Sequence, residues 1–209
     1  MGGVLCREDD LASRGNWERR LGLPSGELDR IVFYHPVAPQ LFVGKAHPEE
    51  MWKAIGEELN LSEEEIRKLS ADFWGEPIWN HDLLDYITSL KGQYKLGVLS
   101  DAWITTREEV GEWINNDLFD IIMFSAEEKI RKPDPKYYQL ILSLLEVEAD
   151  ESIFVDDRLE NVEGAERVGM YAIHYTRGMG IRERIHQITE TASLPSPAKT
   201  PHSPNREPL

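Results

Sequence analysis

"SIFVDDRLENVEGAERV", residues 152–168, changes character part-way along its length. The apolar run Ile153 to Val155 has no apolar/polar alternation, as in a strand covered on both faces of a parallel sheet. It stops at two adjacent aspartates, Asp156 and Asp157, and a helical pattern follows. Strand, polar loop and helix therefore succeed one another within a short stretch. Two neighbouring carboxylates repel, and one has its pKa raised unless a positive charge lies between them.

The same unit recurs on both sides. "YKLGVL" precedes "TTREEVGEWI", "DIIMF" precedes "PKYYQLILSLL", and "YAIHY" closes the series, so residues 92–176 alternate strand and helix. This predicts an α/β fold built on a doubly wound parallel sheet. Local punctuation agrees: Thr105 with Glu108 reads as a capping box, Asp134 before Pro135 as an N-cap with proline at N1, and Gly169 as a helix end.

Residues 8–91 read differently, with amphipathic helical patterns and no convincing strand series. "HPEEMWKAIGEELN" and "SEEEIRKLSADFW" carry apolar residues at three- and four-residue spacing, and Ser62 with Glu65 opens the second as a capping box. Trp17, Trp52, Trp74 and Trp79 are expected to fill the core of this small bundle rather than to line a binding surface. The division expected is a helical unit over residues 8–79, an α/β core from residues 1–7 and 80–188, and a disordered tail over 189–209. The tail is proline-rich, "LPSPAKTPHSPNREPL", with little to bury.

Composition narrows the function classes. Among 209 residues, 38 are acidic and 23 basic, and the net charge of -15 argues against nucleic acid and against an anionic membrane surface as partners. No apolar stretch approaches the roughly 20 residues that span a bilayer. The single cysteine, Cys6, forms no internal disulfide, which fits a reducing cytoplasm.

Ligands of open α/β sheets bind beyond the carboxyl ends of the strands. The residues there are Ser100 and Asp101, the loop "SAEEKIRKPDP" with Lys132, and Asp156 with Asp157. Singly, each reads as a helix cap or an exposed charge. Together they set a hydroxyl, a lysine and a carboxylate pair on one edge. Pro133 biases Lys132 toward an extended backbone, where it serves as a point charge for phosphate, and the paired carboxylates suit Mg2+, a hard cation with oxygen ligands.

These segments resemble the motifs of the haloacid dehalogenase-like (HAD) hydrolase superfamily, in particular its phosphatases with a helical cap inserted after the first strand. The resemblance covers residues 1 to about 185. "YKLGVLSDAW" is similar to the second motif and implies a phosphate-binding role for Ser100, beside Asp101. "SAEEKIRKPDPKYY" is similar to the third, with Lys132 neutralising phosphate, and "IFVDDRLENVEGA" to the fourth, with Asp157 as a direct Mg2+ ligand, Asp156 beside it and Asn161 in support. "MGGVLC" resembles the end of the first motif, in which Gly2 offers its carbonyl to the metal.

In the family an aspartate nucleophile stands immediately before the position of Met1, on a central strand, and neither is among these residues. The implied fold is a Rossmann-like core with its first strand missing, and the chain as written is expected to be inactive, with Met1 an internal residue of a longer protein or the chain a fragment. Gly2 also stands where many relatives carry a general acid. The implied function is a Mg2+-dependent phosphatase of small phosphorylated metabolites acting through an aspartyl-phosphate. The rivals are a 2-haloacid dehalogenase, which needs no metal, and a non-catalytic binding protein on the same fold.

Overall fold

Polar caps start several of the long helices and apolar faces hold them in place. In the computed structural model, which describes residues 1–7, 11–75 and 77–192, strand β1 (Cys6–Arg7) leads into helices α1 (Leu11–Leu21), α2 (Glu27–Phe33), α3 (Ala38–Leu41), α4 (Pro48–Glu58) and α5 (Glu63–Trp74). Ser62 accepts from the Glu65 N–H while Glu65 accepts from the Ser62 N–H, so the expected box opens α5; His47 and Glu50 form another at α4. Strand β2 (Ile78–Trp79) and helix α6 (His81–Leu90) return the chain.

The remainder alternates β3 (Gly97–Ser100), α7 (Thr106–Val110), β4 (Ile121–Phe124), α8 (Ser125–Glu128), α9 (Pro135–Leu145), β5 (Ile153–Asp156), α10 (Leu159–Arg167), β6 (Tyr171–His174) and α11 (Ile181–Thr191). Asp134 caps α9 through the Lys136 N–H, and Gly169 takes φ +94° just past α10, as expected of a left-handed helix end. The Thr105 cap does not form: Thr105 already has helical angles, φ -81° and ψ -17°, and its side chain makes no capping bond. Helix α11 runs to Thr191, two residues beyond the expected start of the tail at 189, because Ile181 and Thr189 bury one of its faces; residues 193–209 lie outside the described residues.

Strands β3 and β4 pair in parallel from Gly97 opposite Ile121 to Ser100 opposite Phe124, and β5 and β6 do so from Ile153 opposite Tyr171 to Asp156 opposite His174. Among the described residues no strand joins β3 to β5. A cavity of about 450 Å3 separates them, lined by Val98 and Leu99 of β3, Phe154 and Val155 of β5, and by Met1 and Leu5.

One strand within residues 8–91 escapes the sequence. β2 pairs antiparallel with β1, Cys6 opposite Trp79 and Arg7 opposite Ile78, so the helical segment leaves and re-enters through adjacent backbones. Two residues are too few for an alternation to show.

The helices of that segment enclose a cluster including Trp17, Leu28, Met51, Trp52, Ile55, Leu69 and Phe73. Trp74 packs against it, and Trp79 is buried instead in the cluster of the α/β core. Trp17, Trp52 and Trp74 thus pack in the helical bundle as expected, whereas Trp79 does not, because its pairing on β2 with β1 draws it into the α/β core. Trp103, from the loop after β3, reaches the helical cluster and meets Trp74 edge-on at 4.9 Å between centroids.

Candidate active site

The carboxyl ends of β3 and β5 bring Ser100, Asp101, Lys132, Asp156 and Asn161 together. Lys132 is buried, and its Nζ donates to Asp156 Oδ2 at 2.7 Å and to the Leu99 carbonyl at 3.0 Å. Its backbone N–H donates to Asp101 Oδ1 at 3.0 Å, and its bond to Pro133 is cis. A flexible lysine is thereby fixed at both ends, which is how an ammonium becomes a placed charge instead of a solvated one.

Asp156 completes the arrangement. Its Oδ1 accepts from the Arg158 N–H and from Asn161 Nδ2, both at 2.9 Å. Burial alone would raise its pKa; the Lys132 charge and the hydrogen bonds from Lys132, Arg158 and Asn161 outweigh burial and hold the carboxyl below its ordinary value. The positive charge beside this carboxylate is therefore Lys132. Asn161 is itself held through its carbonyl by the Tyr138 hydroxyl at 2.9 Å, and its buried Oδ1 accepts no hydrogen bond among the described residues.

Asp101 behaves in the opposite sense. Burial raises its pKa, and Lys132 and Arg131 offset the rise only in part. Ser100 is buried with its hydroxyl directed to the Asp101 carbonyl at a long 3.4 Å, a bond weak enough to exchange for a better acceptor.

Asp157 differs from its neighbour in being exposed, and no described residue donates to its carboxylate. It lies against Gly3: a Cβ there would stand 2.3 Å from Asp157 Oδ2, and Gly3 has φ +79°, so glycine is required on both counts. Exposed Gly2 adjoins, bridged to Cys6. The Met1 amino group points inward, where burial and then Lys132 lower its pKa.

The oxygen chemistry fits Mg2+ by one route. No three His, Cys, Asp or Glu side chains converge among the described residues, which leaves no all-protein cage. Mg2+ is commonly held by one or two carboxylates with waters and substrate phosphate completing the set, and Asp157 provides such a carboxylate.

Two contributors were not singled out in the sequence. Ser125, fully buried, accepts from the Ala102 N–H at 3.0 Å and donates to the Ala102 carbonyl at 3.2 Å, fixing the loop after β3. His174 Nε2 lies 3.0 Å from the Asp157 carbonyl. Each is a polar residue at a strand's carboxyl end, the one signal that marks it.

Parallel strands with helices between them, a helical insertion closed by β1 and β2, and a lysine-carboxylate cluster past the strand ends define a doubly wound, Rossmann-like α/β protein with its polar site at the carboxyl edge. Residues 42–174 match the model of the haloacid dehalogenase-like hydrolases, and the chain belongs to that family. It is 33% identical over 150 residues to the sesquiterpene phosphatase astK of Aspergillus oryzae, a match covering 69% of this chain and 75% of that one. It is 31% identical over 87 residues to the glyceraldehyde 3-phosphate phosphatase of Pyrococcus abyssi, covering 41% and 37% respectively, so only about two fifths of that relative is spanned. A HAD family enzyme of Bacteroides thetaiotaomicron, solved with magnesium and inorganic phosphate, superposes with a TM-score of 0.73 at 19% identity over 88% of this chain and 95% of that one, which shows a shared fold.

Proposed function

We propose that the site serves a Mg2+-dependent phosphatase acting on small phosphorylated metabolites. The observation that carries this reading is the buried Lys132 ammonium, fixed by Asp156 and the Leu99 carbonyl beside the weakly engaged Ser100 hydroxyl. An ammonium and a hydroxyl so placed hold two oxygens of a phosphoryl group, and their preorganisation stabilises charge that develops on it. The kinds of substrate named for the relatives support the same class.

Asp156 keeps Lys132 charged and aimed, and Asn161 and the Arg158 N–H keep Asp156 in place. Asp157, with the Gly2 carbonyl, would hold Mg2+, which when bound neutralises phosphate charge and orients the ester. Asp156 and Asp101 are both committed to Lys132, one to its side chain and one to its backbone, which disposes neither to attack phosphorus. By the family resemblance the attacking carboxylate is an aspartate that is not among these residues, and water hydrolyses the aspartyl-phosphate it forms.

The test assays the protein as its native host makes it on a panel of phosphate monoesters, with Mg2+ and with EDTA, beside its Lys132→Met variant. Mg2+-dependent phosphate release that Lys132→Met abolishes is expected. Halide release from 2-haloacids without metal would instead assign the dehalogenase chemistry.

A further inference from the structure

We infer that Arg131 is a specificity residue: its guanidinium binds a second anionic group of the substrate, a carboxylate or a further phosphoryl, beside the phosphoryl group held by Lys132 and Ser100. The inference rests on the phosphatase reading of the site and adds to it a class of substrate, phosphate esters that carry a second acid.

Asp101 locates the guanidinium. Its Oδ1 accepts the Lys132 N–H at 3.0 Å and its Oδ2 lies 3.8 Å from Arg131 Nε, so a single carboxylate stands between the two cationic residues. The Asp101 carbonyl faces the Ser100 hydroxyl at 3.4 Å, which puts the phosphate-binding hydroxyl on the same residue's other side. The two cations are adjacent in sequence and diverge in space. Lys132 turns its ammonium inward to Asp156 and the Leu99 carbonyl and is 4% exposed, whereas the Arg131 side chain is 35% exposed.

The guanidinium is held without being saturated. Nε donates to the Lys132 carbonyl at a long 3.5 Å, and its 3.8 Å separation from Asp101 is beyond hydrogen-bond reach. Among the described residues neither Nη group of Arg131 makes a hydrogen bond. Arg107 shows the contrast on the neighbouring loop, with Nε and Nη2 each 2.7 Å from an oxygen of Glu127. An arginine that serves structure closes such a fork on a carboxylate, and Arg131 leaves its fork open.

The helical insertion fixes where the fork points. Phe42, which ends α3, covers one face of Arg131 with its ring centroid 5.1 Å from Cζ. Stacking occupies a face of the guanidinium and leaves the in-plane N–H groups to hydrogen-bond. Phe42 is itself pinned: its ring meets Trp103 at 6.3 Å, and Gly44 takes φ +61° so near Ala126 that a Cβ would stand 2.2 Å from the carbonyl oxygen. Arg131 therefore lies at the seam between insertion and core. Its ordering is already complete, so little rotamer entropy remains to be lost on binding.

An anion is the ligand that completes this group. Two Nη groups in one plane match two oxygens of a carboxylate or phosphoryl group, a fit that a neutral hydroxyl cannot reproduce. With 38 acidic residues in the chain, the open fork does not reflect a shortage of carboxylates.

The test titrates the protein as its native host makes it, with its Arg131→Met and Arg131→Lys variants, against four non-hydrolysable probes. Phosphonoacetate, 3-phosphonopropionate and methylenediphosphonate carry a second acid; propylphosphonate does not. Calorimetry reads each Kd with Mg2+ and again with EDTA, the second series removing chelation by the probe as a cause. At least one two-acid probe is expected to bind about tenfold tighter than propylphosphonate in both series, the worth of one charge-assisted bond. Arg131→Met should bring that ratio to within about twofold of one, and Arg131→Lys, which keeps the charge without the fork, should retain part of it. Equal affinities in the native protein, or a ratio that survives Arg131→Met because both kinds of probe weaken together, would overturn the inference. Thermal melting checks each fold; if Arg131→Met does not fold, an unchanged ratio in Arg131→Lys overturns it instead. Failure of all four probes to bind would remove the phosphate reading as well, whereas propylphosphonate bound as tightly as the others would remove this inference alone.

Discussion

Lys132 Nζ and Asp156 Oδ2 lie 2.7 Å apart with side chains only 4% and 5% exposed, a buried ion pair that, with the bond from Lys132 to the Leu99 carbonyl, ties the ends of β3 and β5, which do not pair with each other among the described residues. Burial of two charges is unfavourable unless each is satisfied, and here the carboxylate accepts three hydrogen bonds, from Lys132 Nζ, the Arg158 N–H and Asn161 Nδ2, while Lys132 Nζ also donates to the Leu99 carbonyl. The singles Asp156→Ala and Lys132→Met should therefore each lose about 3–5 kcal/mol by leaving the partner charged and unpaired. The double substitution should lose less than their sum, a difference that urea denaturation of the four proteins would read.

The same pair sets the acid side of the stability profile. The Asp156 carboxyl is held below its ordinary value, so its contribution is present above the unfolded pKa of about 4 and disappears as pH falls through the folded value. Stability followed by denaturation at successive pH values should drop below about pH 4 in the native chain, and Lys132→Met should flatten that drop.

Asp101 supplies a contrast of opposite sign. Its raised carboxyl binds a proton more tightly folded than unfolded, so ionisation opposes folding, fully above the folded pKa and not at all below the unfolded one. Asp101→Asn keeps an oxygen to accept the Lys132 N–H and removes the charge. It should leave stability at pH 7 unchanged or higher while altering its slope above about pH 4, measured by the same titration of denaturation midpoints.

Gly3 controls the placement of Asp157. Gly3→Ala adds a Cβ 2.3 Å from Asp157 Oδ2 on a left-handed backbone, for a loss of about 1–3 kcal/mol and a displaced carboxylate. Calorimetric titration should show weaker Mg2+ binding in the presence of inorganic phosphate than for the native chain; unchanged affinity would separate Asp157 from the metal.

Trp103 ties the loop after β3 to the helical insertion through Trp74 and through Phe42, whose ring centroid is 6.3 Å away. Trp103→Ala should cost about 3–5 kcal/mol. Because the residue follows Ser100 and Asp101 closely, the loop should also loosen, seen as faster hydrogen exchange at Ala102, whose N–H Ser125 holds.

Much of the architecture is written locally. Apolar runs such as Ile121 to Phe124 and Ile153 to Val155 mark strands, and Asp134, Ser62 and Gly169 mark helix ends, because each depends on neighbours within a few residues. Ser100, Lys132 and Asp156 announce themselves by standing just past the strands, where an open sheet exposes its carboxyl edge. Short-range pattern thus accounts for the alternating α/β order, the helical insertion and the edge that carries the polar residues. Long-range packing sets the rest: Lys132 pairs with Asp156 while Asp157 stays exposed beside Gly3, Trp79 and Trp103 pack in the clusters they do, and β3 and β5 flank a cavity. Adjacent aspartates look alike in one dimension; which is buried depends on strand pleat and on residues 24 and 33 positions away in the bonds Lys132 makes to Asp156 and Leu99, and no local pattern encodes such distances.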